Sequence, residues 1–204
     1  AGQIRNTYTA NLSNVLGSVD ASALKGNPVV KGSNIVVDSD TDDWDDITAR
    51  TADAAGVKLW KAAVSSDYSK LYFMYEGTVQ TEWDYSYMGS NPVSITYADG
   101  TTGISDKIQF TGWKDSAQAK NSWYGDIENS ETVTVNNAHG NTAGPYVVEA
   151  AIPFDFFANS DFKITFAGTT VDIKDIEVLD GQKVEKDDTE AVYLSLIHIS
   201  EPTR

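Results

Sequence analysis

Short β-branched and aromatic runs, each closed by turn-forming residues, recur from Ile35 to Phe166, and no stretch sustains the periodicity of a helix. Runs of this kind bury an apolar face only by pairing and stacking, so the chain is constrained to packed sheets. The segments that read as strands are Ile35-Val36-Val37, Leu59 to Val64, Leu71 to Tyr75, Val93 to Tyr97, Asp106 to Phe110 and Thr132 to Val135. Tyr146 to Ile152, Phe162 to Ala167, Asp172 to Val178 and Ala191 to Tyr193 follow, and Gly26 to Ser33 reads as turn–strand–turn. In Leu71 to Tyr75 both tyrosines are placed to face outward. Ile47 to Val57 has helix-friendly alanines but one weak apolar face, and Pro153 to Phe157 fits one helical turn with proline near its start. The expected fold is all-β: an antiparallel β-sandwich, jelly-roll or immunoglobulin-like, with at most one or two short helical turns.

Charge and residue usage then exclude whole classes of function. Thirty acidic residues against 15 basic ones leave a net charge of −15, a field that repels phosphate, so neither nucleic acid nor an anionic membrane surface is an expected partner. There are no cysteines, which removes disulfides, thiol catalysis and cysteine metal sites. No apolar run approaches the roughly 20 residues of a membrane span, and Ala1 to Ser13 lacks the basic start and apolar run of a secretory signal. The last eleven residues, Leu194 to Arg204 (LSLIHISEPTR), resemble a translated sequencing-library adapter, as if a metagenomic gene fragment had been read through into it. The organisation expected is a linker or leading strand over 1–33, a sandwich domain over 34–193 and a non-biological tail over 194–204. Setting the tail aside removes His198 and leaves His139, too few histidines for a histidine-based metal or acid–base site.

Four pieces in order resemble the family 9 carbohydrate-binding modules and, more loosely, the DOMON-like sandwiches. Ile35-Val36-Val37-Asp38 leads through an acidic turn to Asp43-Trp44; Val64 and Asp67 precede Leu71-Tyr72-Phe73; a strand opens at Asp106; and Tyr146-Val147-Val148-Glu149-Ala150-Ala151-Ile152-Pro153 comes late. Where the family usually has glycine after the first aspartate, this chain has Ser39. The resemblance implies a sugar-binding sandwich attached to an extracellular enzyme or bacterial surface protein. Trp44 matches a position that reads as core packing.

Sugars are held by aromatic rings stacking on apolar C–H faces and by planar polar groups pairing with hydroxyls. Two clusters fit: Trp83-Asp84-Tyr85-Ser86-Tyr87, whose alternating rings share a face if extended, and Trp113 with Trp123-Tyr124-Gly125-Asp126. The candidate carbohydrate contacts are Trp83, Tyr85, Tyr87, Trp113, Trp123, Tyr124 and Asp126; the alternative is that these rings cap the sandwich or fill its core. Trp60, beside Lys61, is compatible with either face.

Asp38-Ser39-Asp40-Thr41-Asp42 has the alternating carboxylates of calcium loops, but Asp43 and Ala49 stand where an EF-hand needs Gly and Glu. The readings are a solvated turn and a looser structural Ca2+ site at Asp38, Asp40 and Asp42. Glu149 and Asp155 are the carboxylate pair considered for glycoside hydrolysis; Glu149, in an otherwise apolar strand, reads instead as pairing with Lys, Arg or a backbone edge. For haem, the ligands would be His139 with Met74 or Met88, yet His139 reads as a loop residue and Met74 as core filler. The expected function is non-catalytic binding of a polysaccharide or oligosaccharide by a monomeric module, which can be part of a multidomain glycoside hydrolase with neighbouring domains. The alternatives are an adhesive or structural surface spacer without ligand and, last, a haem redox domain.

Overall fold

The computed structural model describes residues 20–31, 33–54, 56–79, 92–101, 107–110, 118–119, 125–135 and 143–181. Among these residues it contains thirteen strands and four 3-10 turns. Numbered in chain order, the larger sheet holds β1 (Val29–Val30), β2 (Arg50–Ala54), β3 (Val57–Val64), β4 (Lys70–Val79), β9 (Glu131–Val135), β10 (Gly144–Pro153) and β13 (Glu177–Leu179). Its order is β1-β13-β3-β4-β10-β9, with β2 also paired to β3. The smaller sheet holds β5 (Val93–Tyr97), β6 (Lys107–Gln109), β7 (Gln118–Ala119), β8 (Gly125–Asp126), β11 (Phe162–Phe166) and β12 (Thr169–Asp172), in the order β12-β11-β5-β6-β7-β8. The pairings are antiparallel apart from β1 with β13 and β13 with β3, which are parallel. The all-β sandwich read from the sequence is what forms, with a short parallel border on the larger sheet.

Alternation decides what fills the space between the sheets. From the larger sheet come Trp60, Ala62 and Val64 of β3, Leu71, Phe73 and Tyr75 of β4, and Tyr146, Val148, Ala150 and Ile152 of β10. From the smaller sheet come Val93, Ile95, Ile108, Phe162, Ile164 and Phe166. Phe73 lies at the centre, stacked on Trp60 at 5.4 Å and on Phe110 at 5.5 Å, with Phe166 edge-on at 5.1 Å. Such ring pairs add about 0.5–1.5 kcal/mol each beyond their buried area. Trp60 therefore faces inward, and so does Tyr75, which corrects the outward reading: it shares the parity of Phe73, and only Tyr72 takes the opposite face.

Two glycines permit the close approaches on the larger sheet. Gly56 turns β2 into β3 at φ 81°, and a Cβ on Gly77 would collide with the Gly56 carbonyl oxygen and the Tyr146 hydroxyl. The β3–β4 turn is closed by Asp67, whose Oδ1 accepts from Ser65 Oγ at 2.7 Å and from the Ser69 amide at 3.0 Å.

The larger sheet is covered on its outer face as well. Ile35, Trp44 and Ile47 pack there against Ala63 of β3, Met74 of β4 and Leu179 of β13. The stretch 33–49 is thus a roof over the sheet rather than a member of it. This overturns the strand read at Ile35-Val36-Val37: Ile35 is buried, but the Val36 amide donates to Asp43 Oδ2 at 2.9 Å instead of to a ladder. Two further segments differ from the sequence reading. Arg50–Ala54, inside the alanine-rich stretch, pairs as β2. Asp172 to Val178 is broken by a 3-10 turn, Ile173–Asp175, which the Asp172 carboxylate caps. The turn at Phe154–Phe156 forms where proline suggested it. Residues ahead of the roof also belong to the body: Leu24 is in the core, and Asn27 Nδ2 donates to the carbonyls of Ile173 and Ile176, both at 2.8 Å.

Candidate functional site

The roof is where the acidic turn lies. Asp38, Asp40 and Asp42 are exposed. Asp38 Oδ1 accepts from the Asp40 amide at 3.0 Å and Asp40 Oδ1 from the Asp42 amide at 3.1 Å, the local bonding of aspartates that form turns. Among the described residues no group of three His, Cys, Asp or Glu side chains converges in a way that could hold a metal ion.

Beneath this turn sits Glu149 of β10, 0% exposed. Its Oε1 accepts from the Trp44 indole Nε1 at 3.0 Å, and its Oε2 accepts from the Ser39 amide at 3.1 Å. Two pieces of the family resemblance, the acidic turn with its tryptophan and the late Tyr-x-x-Glu strand, are therefore one physical unit. Burial pushes the Glu149 carboxyl above the usual glutamate range; the donors at Ser39 and Trp44 pull it down, and nearby Asp38 opposes them. Of the partners read from the sequence (Lys, Arg or a backbone edge), it is a backbone amide that bonds Glu149, joined by the Trp44 indole. Enclosed in this way, Glu149 carries no reacting group to solvent, while Asp155 is exposed.

Of the sugar-contact candidates, Asp126 lies in β8 and is exposed. Trp83, Tyr85, Tyr87, Trp113, Trp123 and Tyr124 lie outside the described residues, as do His139, Met88 and the tail. The strands that flank those aromatics are described. Residues 80–91 join β4 to β5, 111–117 lie between β6 and β7, and 120–124 join β7 to β8. Val93 is in register with Ile108, Ile108 with Ala119 and Ala119 with Gly125, so four of the five strands that these segments enter or leave are neighbours in the smaller sheet. Trp44 and Trp60 are each 0% exposed. Met74 is buried in the outer cluster, as core filler.

A cleft of about 590 Å³ opens where Asp20, Asp99, Asn159 and Asp161 meet over Ala98 and Ala158. Its polar groups are mutually engaged. Asp99 accepts from Asn159 Nδ2 at 3.2 Å and also from Thr101, and Asp161 pairs with Lys174 at 2.8 Å. The Thr101 bonds hold the Asp99 carboxyl below the usual range. None of the residues lining it is aromatic. Sequence reasoning missed this cleft, since its walls come from three separated segments with no shared pattern.

The chain matches no protein-family model, no curated protein and no solved structure.

Proposed function

We propose that this chain is a non-catalytic carbohydrate-binding module of a secreted or cell-surface bacterial protein. The observation that carries the reading is the division of its tryptophans. Trp44 and Trp60 are fully enclosed, one within the roof against the outer face of the larger sheet and one between the sheets. Trp83, Trp113 and Trp123 fall in polar connections that flank the β5–β8 strands, where the sequence offers little apolar surface to bury them. Aromatic residues in polar stretches of the sequence, with Asp126 following Trp123 and Tyr124 in the chain, are the composition that pyranose stacking and hydroxyl pairing require. The net charge of −15 agrees with a neutral polyol ligand and disfavours phosphate.

Titration calorimetry against soluble oligosaccharides of glucose, xylose and mannose tests it. Binding with Kd on the order of µM to mM is expected, weakened about tenfold by Trp83→Ala or Trp123→Ala. A panel without binding overturns the reading in favour of a ligand-free surface spacer. A structural Ca2+ at Asp38, Asp40 and Asp42 is an accessory part of the proposal: added calcium should raise Tm and chelator reverse it, and an unmoved Tm removes the ion.

A further inference from the structure

Among the described residues, four other than glycine hold a left-handed backbone angle, and three of them have a reason. Ser39, at φ 82°, gives its amide to Glu149. Ala167, at φ 47°, is followed by Gly168 at φ 84° in the two-residue turn between β11 and β12, a turn that needs both angles positive. Asn129 is of a residue type that adopts this region readily. Tyr68, at φ 59°, is a bulky residue where asparagine or glycine would sit with less strain. Its turn closes without the ring: Asp67 Oδ1 accepts from Ser65 Oγ at 2.7 Å, and Ser65 Oγ accepts from the amides of Ser69 at 3.0 Å and Lys70 at 2.9 Å. Nor does the ring fill the core, since it is only half-buried against it. A strained position kept by such a side chain points to a use at the surface.

Tyr68 is not alone in this. Of the fourteen aromatic residues described, eleven are buried; Tyr68, Tyr72 and Phe156 are the half-buried ones. All three fall at one end of the sandwich. Tyr68 precedes β4, Tyr72 is the third residue of that strand, and Phe156 ends the 3-10 turn that follows β10. The two strands are in register there, Lys70 with Pro153 and Tyr72 with Ala151, and the Phe154 amide donates to the Ser69 carbonyl at 2.8 Å. Between Phe154 and Phe156 in the chain stands Asp155, exposed and without a hydrogen bond or ion pair to any described residue. β4 is ten residues long, roughly 30 Å, so this end is remote from Val79, where the connection that carries Trp83 leaves the strand.

Ring surface beside a free carboxylate suits a pyranose, whose C–H face stacks and whose hydroxyls donate. One carboxylate is too few for a metal ion, and the net charge of −15 repels phosphate. We propose that this end of the sandwich is a second saccharide-contact surface, with Tyr68 and Phe156 stacking on sugar rings and the Asp155 carboxylate accepting from a hydroxyl. It rests on the carbohydrate-binding reading and adds to it a contact surface separate from residues 80–91.

Amide NMR spectra recorded while the intact chain is titrated with oligosaccharides of glucose, xylose and mannose test it. The amides of Tyr68, Asp155 and Phe156 should shift and saturate, with Kd on the order of µM to mM. Tyr68→Asn removes the ring and puts in a residue that accepts the backbone angle. The Kd read at the Asp155 amide should then rise about tenfold, while Tm stays the same or rises. Asp155→Ala, at an exposed position without partners, should raise the Kd read at the Phe156 amide about two- to fivefold. A Kd unchanged in Tyr68→Asn makes the ring a cap on the core and overturns the surface; should that variant fail to fold, an unchanged Kd in Asp155→Ala does the same. Shifts that saturate elsewhere but not at these amides also overturn it and leave the carbohydrate reading standing. No shift anywhere with any of the sugars fails that reading and takes this surface with it.

Discussion

Glu149 and Glu177 are both buried on the outer face of the larger sheet, at opposite ends of the same roof, and they are held by different chemistry. Glu149 accepts from the Ser39 amide and the Trp44 indole, neutral donors both. Glu177 accepts from the Thr48 amide at 3.2 Å and pairs with the Arg50 guanidinium at 3.2 Å. Together the two carboxylates pin the roof fore and aft, and Lys61 adds a third tie to the Trp44 carbonyl at 2.7 Å. Burial pushes both carboxyls up. At Glu149 it wins; at Glu177 the Thr48 bond and the Arg50 charge outweigh it, and the carboxyl is held below the usual range. At Glu177 the Thr48 bond and the Arg50 cation together make the charged form favourable, whereas at Glu149 two neutral donors do not offset burial.

The largest effect should come from the tryptophan that both closes the roof and donates to Glu149. Trp44→Ala is expected to cost about 3–5 kcal/mol from lost packing alone, measured by urea denaturation. Trp44→Phe keeps most of the ring and removes the donor, so its cost should fall to about 1–3 kcal/mol. Equal losses in the two variants would mean that the indole bond matters more than the volume, contrary to the packing seen around Ile35 and Met74.

Next come the two carboxylates themselves. Arg50→Met strips Glu177 of its cation while the residue stays enclosed, and about 3 kcal/mol should be lost. Glu149→Gln leaves either the indole or the Ser39 amide facing an NH2 group, at a cost of about 1–3 kcal/mol. If Arg50→Met were neutral, the guanidinium would be only a neighbour and the contrast between the two sites would collapse.

The pH dependence sharpens the same contrast because its two signs are opposite. Glu149 has a raised carboxyl, so its contribution is fully present below the unfolded value of about 4.3 and is lost as pH rises through the folded value. Glu177 has a depressed carboxyl, so its contribution is present above about 4.3 and is lost as pH falls through the folded value. The cost of Glu149→Gln should therefore shrink on going from about pH 3 to pH 7, and the cost of Glu177→Gln should grow. Two parallel profiles from denaturation at both pH values would erase the distinction.

How much of this was legible in the sequence follows from which signals are local. Strands with strict alternation and turn residues at both ends, such as Val93 to Tyr97 and Phe162 to Ala167, were readable because both cues lie within the segment. Ile35-Val36-Val37 has the same β-branched composition, yet its role depends on the sheet it covers, and that is a long-range fact. The signal for the roof lay elsewhere. In β10 the outward positions Val147 and Ala151 are apolar too, which betrays a strand covered on both faces and a Glu149 that must be buried between them. Among the sugar-contact candidates, Asp126 was visible as an acid beside aromatics in the chain. The burial of Gln109 was not visible, since one glutamine between Ile108 and Phe110 looks like any solvent-facing strand position.

The smallest effect tests the joint itself. Ser39 holds φ 82° while its amide bonds Glu149, a backbone region that costs a side-chain-bearing residue about 1–2 kcal/mol. The family that this chain resembles usually has glycine there, and the angle gives the physical reason. Ser39→Gly would relieve the strain and keep the amide donor, while making the unfolded chain more flexible. The two terms oppose each other, so a net gain of up to about 1 kcal/mol is expected. Ser39→Ala keeps the strain and should not gain. A Ser39→Gly variant that loses stability would mean that the serine side chain, not the amide, holds the turn over Glu149, and the roof would then be anchored at that end by a bond other than the one that distinguishes it from Glu177.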